Sequence, residues 1–489
     1  MACLRKRPWW HATSKVVAST TDNEVDDELP SFIWEMYRNP RMYKDDLYRD
    51  VMLNHLERNS CLVTKKGLYL SLKAYCDENK EINLLNLIPQ TYYLASGSQK
   101  QDEPRSKDMA DFLAFNAGQI CGGSAGGGST DHSHELVIPI QEDQYRLTFP
   151  PIDRKVVVPP FGTIPASGSL PKSISGIAVD KDAQLGAIWI LKPASKTNRG
   201  FGIKVVRGVK EVLDIVNRPA SSRIRKLKSF TEEKDSVKGQ KGNCEAKCGD
   251  KATLSLSRAA GRAGAQEGWI VQLYMDRPML VSGRKFDIRC FVLATNFPGE
   301  SLRAYFFKDA YVRTSSKKYS LVCLSDREAH LTNDAVQNKS KTYGKFEDGN
   351  KLSFSEWQTA ILRDYPHASP NIVEEKFRPE MIRLSAISIA AAAKELQRTK
   401  IHRSFELLGY DYMVDNEFRI TLIEINSNPC LEFVCPLLSD IISSLLENVV
   451  IVALDTQLPP PGKSKRTSGC HQAILDISQQ DAKFFQIYP

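Results

Sequence analysis

FELLGYDYMVDNEFRITLIEINSNPCLE, running from Phe405 to Glu432, holds two apolar runs around a polar break. Leu407–Val414 and Ile420–Ile425 flank Asp415, Asn416 and Glu417, which predicts a strand, a tight turn and a second strand. Strict alternation along the second run sets Thr421, Ile423 and Ile425 on one face, and Leu422, Glu424 and Asn426 on the other. A hairpin turning near Asn416 brings Asp411 opposite Glu424–Asn426. Two carboxylates and an amide oxygen converging in this way suit a hard cation such as Mg²⁺, which prefers oxygen ligands and shares its shell with phosphates and water. Taken alone, the stretch equally admits an ordinary half-buried hairpin carrying two chance acids.

Working outward, a chain of 489 residues exceeds one ordinary core and predicts two to four domains. With 42% apolar and 25% charged residues it has a globular composition, and no apolar run approaches the roughly 18 residues that span a bilayer. The opening MACLRKRPWW is basic without an apolar core, which argues against secretion. Eleven scattered cysteines suit reduced thiols in a cytoplasmic compartment, and Cys244 and Cys248 lack the second ligand pair of a zinc site. The net charge of +8 gathers at Arg5–Arg7, Arg223–Lys228, Lys234–Lys251 and Lys463–Arg466. Such clusters read singly as solvated loops and together favour an acidic partner. They carry few aromatics to stack on bases, which speaks against nucleic acid.

Along the chain, the pattern over Ser31–Arg58 predicts helix, and Lys65–Tyr75 predicts an amphipathic helix with Leu68, Leu72 and Tyr75 on one side. Strands are expected where aromatics follow Pro89, at Gly186–Pro193, Ile203–Val206, Trp269–Tyr274 and Lys285–Leu293. Ile382–Leu396 reads as a helix with a small-residue face. Residues 99–130, including the Gly-rich 122–129, read as a flexible linker. Residues 219–266 read as a disordered insertion, and the basic tail 456–489 shows no evident core.

Lys192 closes an apolar strand and is followed by Arg199, Gly200, Phe201 and Gly202. An ammonium beside backbone amides freed by glycine forms an anion nest, although a plain β-turn has the same composition and the Walker spacing is absent. Gln272, Leu273 and Tyr274 would suit a strand whose backbone edge pairs with an adenine. Lys285, Asp287 and Arg289 share one strand face, which is costly unless they meet a polar site or one another. Arg313 ends an alternating run, and His330, Leu331, Thr332 and Asn333 form a polar cluster.

These segments, in this order, resemble the tubulin-tyrosine ligase family, an ATP-grasp group. The resemblance rests on Trp189–Pro193, Arg199–Ile203, Lys285–Arg289, His330–Asn333 and Phe405…Asp411…Glu424–Asn426, and it includes the thirteen-residue step from Asp411 to Glu424. It covers roughly 65–94 and 187–432, and Tyr343–Asn350 is most similar to the tyrosine-adding members. It implies an α/β ATP-grasp fold with nucleotide held between a central domain, 63–284, and a C-terminal domain, 285–455. A small N-terminal domain, 1–62, would lie on the tubulin-binding side. ATP contacts would come from Lys65, Lys192, Arg199, Gly200, Gly202, Gln272, Leu273, Tyr274, Lys285, Asp287, Thr332 and Asn333. Mg²⁺ would sit on Asp411, Glu424 and Asn426, with Lys285, Arg289 and Arg313 as catalytic cations. The implied reaction is ATP-dependent ligation of free tyrosine to the C-terminal glutamate of detyrosinated α-tubulin through an acyl phosphate, in the cytoplasm and on the cytoskeleton. Glutamate or glycine ligation and an inactive tubulin-binding protein are the competing readings; neither a nucleic-acid nor a membrane partner is implied.

Overall fold

The computed structural model describes residues 7, 30–95, 107–121, 186–194, 200–217, 268–398, 402–458 and 483–489. The strands are β1 Phe32–Ile33, β2 Met52–Leu53, β3 Thr91–Ala95, β4 Ile188–Pro193, β5 Lys204–Arg207, β6 Gly268–Leu273 and β7 Leu280–Val281. They continue with β8 Arg284–Asn296, β9 Arg303–Phe307, β10 Tyr311–Lys318, β11 Lys351–Ser353, β12 Ser404–Val414, β13 Ile420–Asn426 and β14 Phe484–Tyr488. Described residues fall into two compact units, one of residues up to Pro89 and from Met275 onward, the other from Gln90 to Tyr274. The family resemblance implies boundaries near 62 and 284.

The larger unit is built on β8 and β12. Both are rich in aromatic and aliphatic residues, both are buried throughout, and they pair antiparallel from Ser404↔Asn296 to Tyr412↔Ile288. Alternation then assigns two faces. On one, Tyr410 and Tyr412 stack and hydrogen-bond Ser388 (2.8 Å) and Ser385 (2.6 Å) of the helix Arg378–Leu396. Cys290 of β8 meets Met381 of the same helix. On the other, Phe405, Leu407, Phe291 and Leu293 pack against Leu438, Ile441, Ile442 and Leu445 of the helix Pro436–Val449. Asp411 falls between the two tyrosines, so the alternation that seats them on one helix aims the carboxylate at the opposite face. β10 and β9 extend the sheet beyond β8, β11 follows β10, and β13 lines the free edge of β12.

Several expectations are corrected. Ser31–Arg58 contains β1, a 3₁₀ turn at Asp46–Tyr48 and β2 rather than a long helix. Its aromatics serve the edge of the sheet instead, Phe32 stacking on Phe405 at 5.9 Å. Lys107–Cys121 forms a helix inside the stretch read as a linker, because Phe112 docks against Tyr92 and Trp189. The end of the tail adds β14 to β9, burying Phe484 against Phe307. Pro436–Asp455 is long and apolar enough to cross a membrane although polar residues interrupt it, and here its apolar side fills the core. The insertion 219–266 lies outside the described residues.

The smaller unit repeats the same economy. Its sheet runs β3-β6-β4-β5, with Tyr92, Leu94, Trp189, Leu191, Trp269 and Val271 packed against Phe112 and the helix Gly208–Val216. The alternate positions, Thr91, Lys192 and Gln272, occupy the opposite face.

One buried charge ties residues 55–59 to β12. Glu406, fully buried, accepts from His55 Nδ1 (2.7 Å), the Leu56 amide (2.7 Å) and Asn59 Nδ2 (3.0 Å). Burial by itself would lower the His55 pKa, but the Glu406 hydrogen bond and charge raise it above its ordinary value. A raised histidine stabilises the fold fully below about pH 6.5 and loses that contribution as pH climbs through the folded value. The urea midpoint is therefore expected to fall over that interval, and Glu406→Gln to flatten the fall; an unchanged profile in the variant refutes the pairing. Phe484→Ala is expected to cost about 3–5 kcal/mol of unfolding free energy, measured by the same titration.

Candidate active site

Four adjacent strands of the larger unit carry one row of charge. Register places Arg313 of β10 opposite Asp287 of β8, Arg289 of β8 opposite Asp411 of β12, and Asp411 opposite Glu424 of β13. Arg313 grips Asp287 with two hydrogen bonds of 2.6 and 2.7 Å and reaches Asp411 at 2.9 Å. Arg289 holds both oxygens of Asp411, at 2.5 and 3.1 Å, and Thr332 donates to Asp287. Burial alone would push the Asp411 carboxyl up, but the two guanidiniums overcome it and hold the group well below the usual carboxylate range. Arg313 is raised well above its ordinary value, because Asp287 and Asp411 outweigh its own desolvation.

Asn426 Nδ2 lies 3.3 Å from Glu424 and 3.4 Å from Asp411, and Lys65 Nζ lies 4.0 Å from Glu424. Lys65 begins the helix Lys65–Glu78, capped by Thr64, whose hydroxyl accepts from the Gly67 amide. Thus Arg289, Arg313, Asp287, Thr332, Asp411, Glu424, Asn426 and Lys65 are brought into one linked set. Lys285 is buried on the same strand with its ammonium 5.9 Å from the Tyr319 ring, and Asn333 starts the short helix Asp334–Gln337.

A bulge refines the expected hairpin. Asp411 pairs with Glu424 but Tyr412 pairs with Leu422, so Ile423 is the extra residue. Ile420, Leu422 and Ile425 are consequently the buried set, and Glu424 and Asn426 share their face with Thr421 and Ile423. Strict alternation had put Leu422 with Glu424. The bulge keeps the carboxylate toward Asp411 while the neighbouring aliphatics stay in the core.

In the smaller unit, Lys192 Nζ donates to Gln272 Oε1 at 2.8 Å, and Gln272 Nε2 donates to Thr91 at 2.9 Å. Gly200 and Gly202 have φ of 72° and 76°, the left-handed conformation expected of an anion loop. A Cβ on Gly202 would lie 2.9 Å from the Pro193 ring. Arg199 lies outside the described residues. β6 is an interior strand rather than an edge, paired to both β3 and β4, and the Leu273 and Tyr274 amides donate to the Gln90 and Ile188 carbonyls. Edge and interior strands share one composition, so sequence could not separate them.

Sequence reasoning missed Thr91, Gly409 and Pro429. A Cβ at Gly409 would meet Pro429 Cβ at 2.9 Å and Arg289 Nη1 at 3.4 Å, so the glycine leaves the slot in which proline and guanidinium sit together. The Asn426–Cys430 segment contained that signal, since a proline three residues after a candidate ligand restricts the loop there.

Among the described residues no group of three or more His, Cys, Asp or Glu stands ready to hold a metal. Asp411 is committed to two arginines, whereas Glu424 and Asn426 are only partly covered. The donor set fits Mg²⁺ as an ion shared with phosphate oxygens, not one held by protein alone.

The match to known proteins follows this geometry. Residues 140–466 match the Tubulin-tyrosine ligase family, more than half of the chain. The chain belongs to that family, whose ATP-grasp-like organisation agrees with the mixed α/β sheets described above. It is 33% identical over 189 residues to tubulin glycylase 3D of Tetrahymena thermophila, covering 38% of this chain and 18% of the relative. It is 29% identical over 286 residues to the probable tubulin polyglutamylase TTLL9 of Mus musculus, covering 58% and 57%. Protein monoglycylase TTLL8 of Mus musculus is 24% identical over 460 residues, covering 89% of this chain and 54% of that protein. The chain thus spans less than two thirds of the length of these curated relatives.

Gly409→Ala is expected to cost about 1–3 kcal/mol by overpacking against Pro429 and Arg289. Adding Pro429→Gly should recover most of it, as judged from denaturant midpoints. Equal losses in the single and double variants rule out the shared slot.

Proposed function

We propose that the chain is an ATP-dependent carboxylate–amine ligase that adds amino acids to tubulin, with glycine or glutamate as the donor. The carrying observation is the row Arg313–Asp287–Arg289–Asp411–Glu424, which sets two buried guanidiniums beside partly covered oxygen ligands. Family membership supports the chemistry, and relatives named as glycylases and a polyglutamylase favour those donors over tyrosine.

Tyr343–Asn350, the stretch behind the tyrosine expectation, is occupied with packing. Glu347 pairs with buried Arg284, Asn350 Nδ2 donates to the Thr314 carbonyl at 3.0 Å and to the Ser316 hydroxyl at 2.9 Å, and Asn350 Oδ1 accepts from the Gly344 amide at 2.7 Å. Resemblance there follows from how the loop is built, and carries little about which amino acid is used.

In the proposed reaction a tubulin carboxylate oxygen attacks the γ-phosphorus of ATP, forming a P–O bond and releasing ADP. The donor amine then attacks the acyl carbon and loses a proton to solvent, and inorganic phosphate departs with the electron pair of the broken C–O bond. Arg289 and Arg313 supply fixed positive charge for the transferring phosphoryl group and the developing oxyanion, and their carboxylate partners spare them reorganisation during the step. Lys192 and Lys285 are the proposed phosphate-holding ammonium groups. Mg²⁺, held by Glu424, Asn426 and Asp411, would neutralise phosphate charge when bound. The proposed setting is the cytoskeleton.

Incubation of tubulin with the protein, ATP and each amino acid separately, followed by mass spectrometry, tests this. A shift with glycine or glutamate is expected. Incorporation of tyrosine alone restores the earlier expectation, and unchanged tubulin with all three refutes the ligase reading. Glu424→Gln should reduce incorporation by about 10²-fold or more while tubulin co-sedimentation is retained; full activity in that variant excludes the metal assignment.

A further inference from the structure

The loop after the helix Asp334–Gln337 is rigidly built yet presents unpartnered charge. Thr342 donates to the Ser316 carbonyl at 2.9 Å. Lys351, fully buried, fixes the far end on Asp334 (2.6 Å) and the Gly349 carbonyl (2.8 Å). With Asn350 and Glu347 committed as described, backbone freedom is small. Lys339, Lys341 and Lys345 nevertheless point to solvent. Some exposed cations elsewhere on this unit are paired, Lys317 with Asp326, Arg363 with Asp364 and Arg419 with Asp415, and others such as Lys44 and Lys318 are not, among the described residues; the loop is set apart by carrying three exposed lysines within one short stretch. Among the described residues no carboxylate lies within ion-pair distance of the three loop lysines. Glu347 is paired with Arg284, so that by count of charge the loop carries Asp348 as its exposed acid against three exposed lysines.

Beside these lysines is exposed apolar surface. Phe346 is 59% exposed and lies on the Arg284 guanidinium at 4.3 Å. Phe433 and Val434 are 60% and 44% exposed, and their loop meets this one at Gly349, where the Val434 carbonyl is 3.8 Å from an added Cβ. The same 427–435 loop starts at Asn426 and sets Pro429 against Gly409 and Arg289. The surface is therefore continuous along one short loop with the arginine that grips Asp411.

We propose that Lys339, Lys341 and Lys345, with Phe346, Phe433 and Val434, form the docking surface for an acidic peptide whose reacting carboxylate reaches Arg289. Unpaired lysines on a rigid loop pay little ordering entropy on binding carboxylates, and the exposed rings supply apolar contact for the peptide's stems. The proposal deepens the ligase reading, and rests on it only for the identity of the reacting end.

The test measures binding of a fluorescent glutamate-rich peptide and its glutamine analogue by anisotropy at several salt concentrations, using the full chain and the variant K339S/K341S/K345S. Expected are salt-sensitive binding of the glutamate peptide, weaker binding of the glutamine peptide, and a loss of about tenfold or more in the variant. Binding of a fluorescent ATP analogue should stay unchanged, showing that the variant is folded. Equal affinity of variant and parent for the glutamate peptide overturns the docking surface, as does equal affinity of the parent for both peptides. Peptide binding lost in the variant without amino-acid transfer by the parent sinks the ligase reading alone. Transfer with an unchanged KM for tubulin in the variant sinks the surface alone.

Discussion

Asp411 is a buried carboxylate held by two guanidiniums, and the larger unit is arranged so that this pairing can exist. An ionised group that is only 3% exposed is tolerable when its partners are close and fixed. Arg289 and Arg313 meet that requirement because β8 lies between β12 and β10, in a register that brings three charged side chains into one row. Asp287 supplies the fourth charge and gives Arg313 a second carboxylate, while Arg289 holds Asp411 by both carboxylate oxygens. Removing Asp411 would strand Arg289, and removing Arg313 would strip Asp287 of its guanidinium, which makes the row both a structural clamp and a preset electrostatic surface. The tyrosines flanking Asp411 complete the arrangement: their hydroxyls are satisfied by serines on a helix across the sheet, so the strand cannot slip by one residue without burying an unpaired carboxylate.

Local irregularities do the positioning that regular strands cannot. Without the bulge at Ile423, a strand that keeps Ile420 and Leu422 in the core would turn Glu424 inward with them. The extra residue lets aliphatic burial and carboxylate presentation coexist on seven residues. Gly409 works by omission, since its missing side chain is what admits Pro429 against Arg289. In the smaller unit the left-handed glycines after β4 allow the chain to turn back close to Pro193, while the Lys192–Gln272–Thr91 row lies on the face that the aromatic core leaves aside.

Much of this was legible in the chain itself. The hairpin, the opposition of Asp411 and Glu424, the alternating charges at 285, 287 and 289, and the φ of Gly200 and Gly202 all follow from local composition and period. What escaped depended on partners distant in sequence. The aromatics of 31–58 imitate a helix but serve a sheet edge whose strand lies some hundreds of residues away. Phe484 looked like tail until β9 offered it a place, and the helix at 107–121 is set by Trp189 beyond a glycine-rich stretch. The interior position of β6 is a property of its neighbours, invisible in its own six residues.

The choice of amino acid escaped for a different reason. The Asp411 row is buried and mutually dependent, so its members cannot change singly without disturbing the sheet. Donor choice needs only a few contacts to a small ligand, free to change without disturbing the sheet. Glu347, Gly349 and Asn350 belong to the first kind, because each closes a contact inside the protein, so their likeness to tyrosine-adding members reports a shared loop architecture. Lys339, Lys341 and Lys345, on the surface proposed for an acidic peptide, are as free to change as such donor contacts: they are exposed and form no ion pair among the described residues. Residues whose cost to the structure is smallest are those whose presence calls most strongly for an external partner.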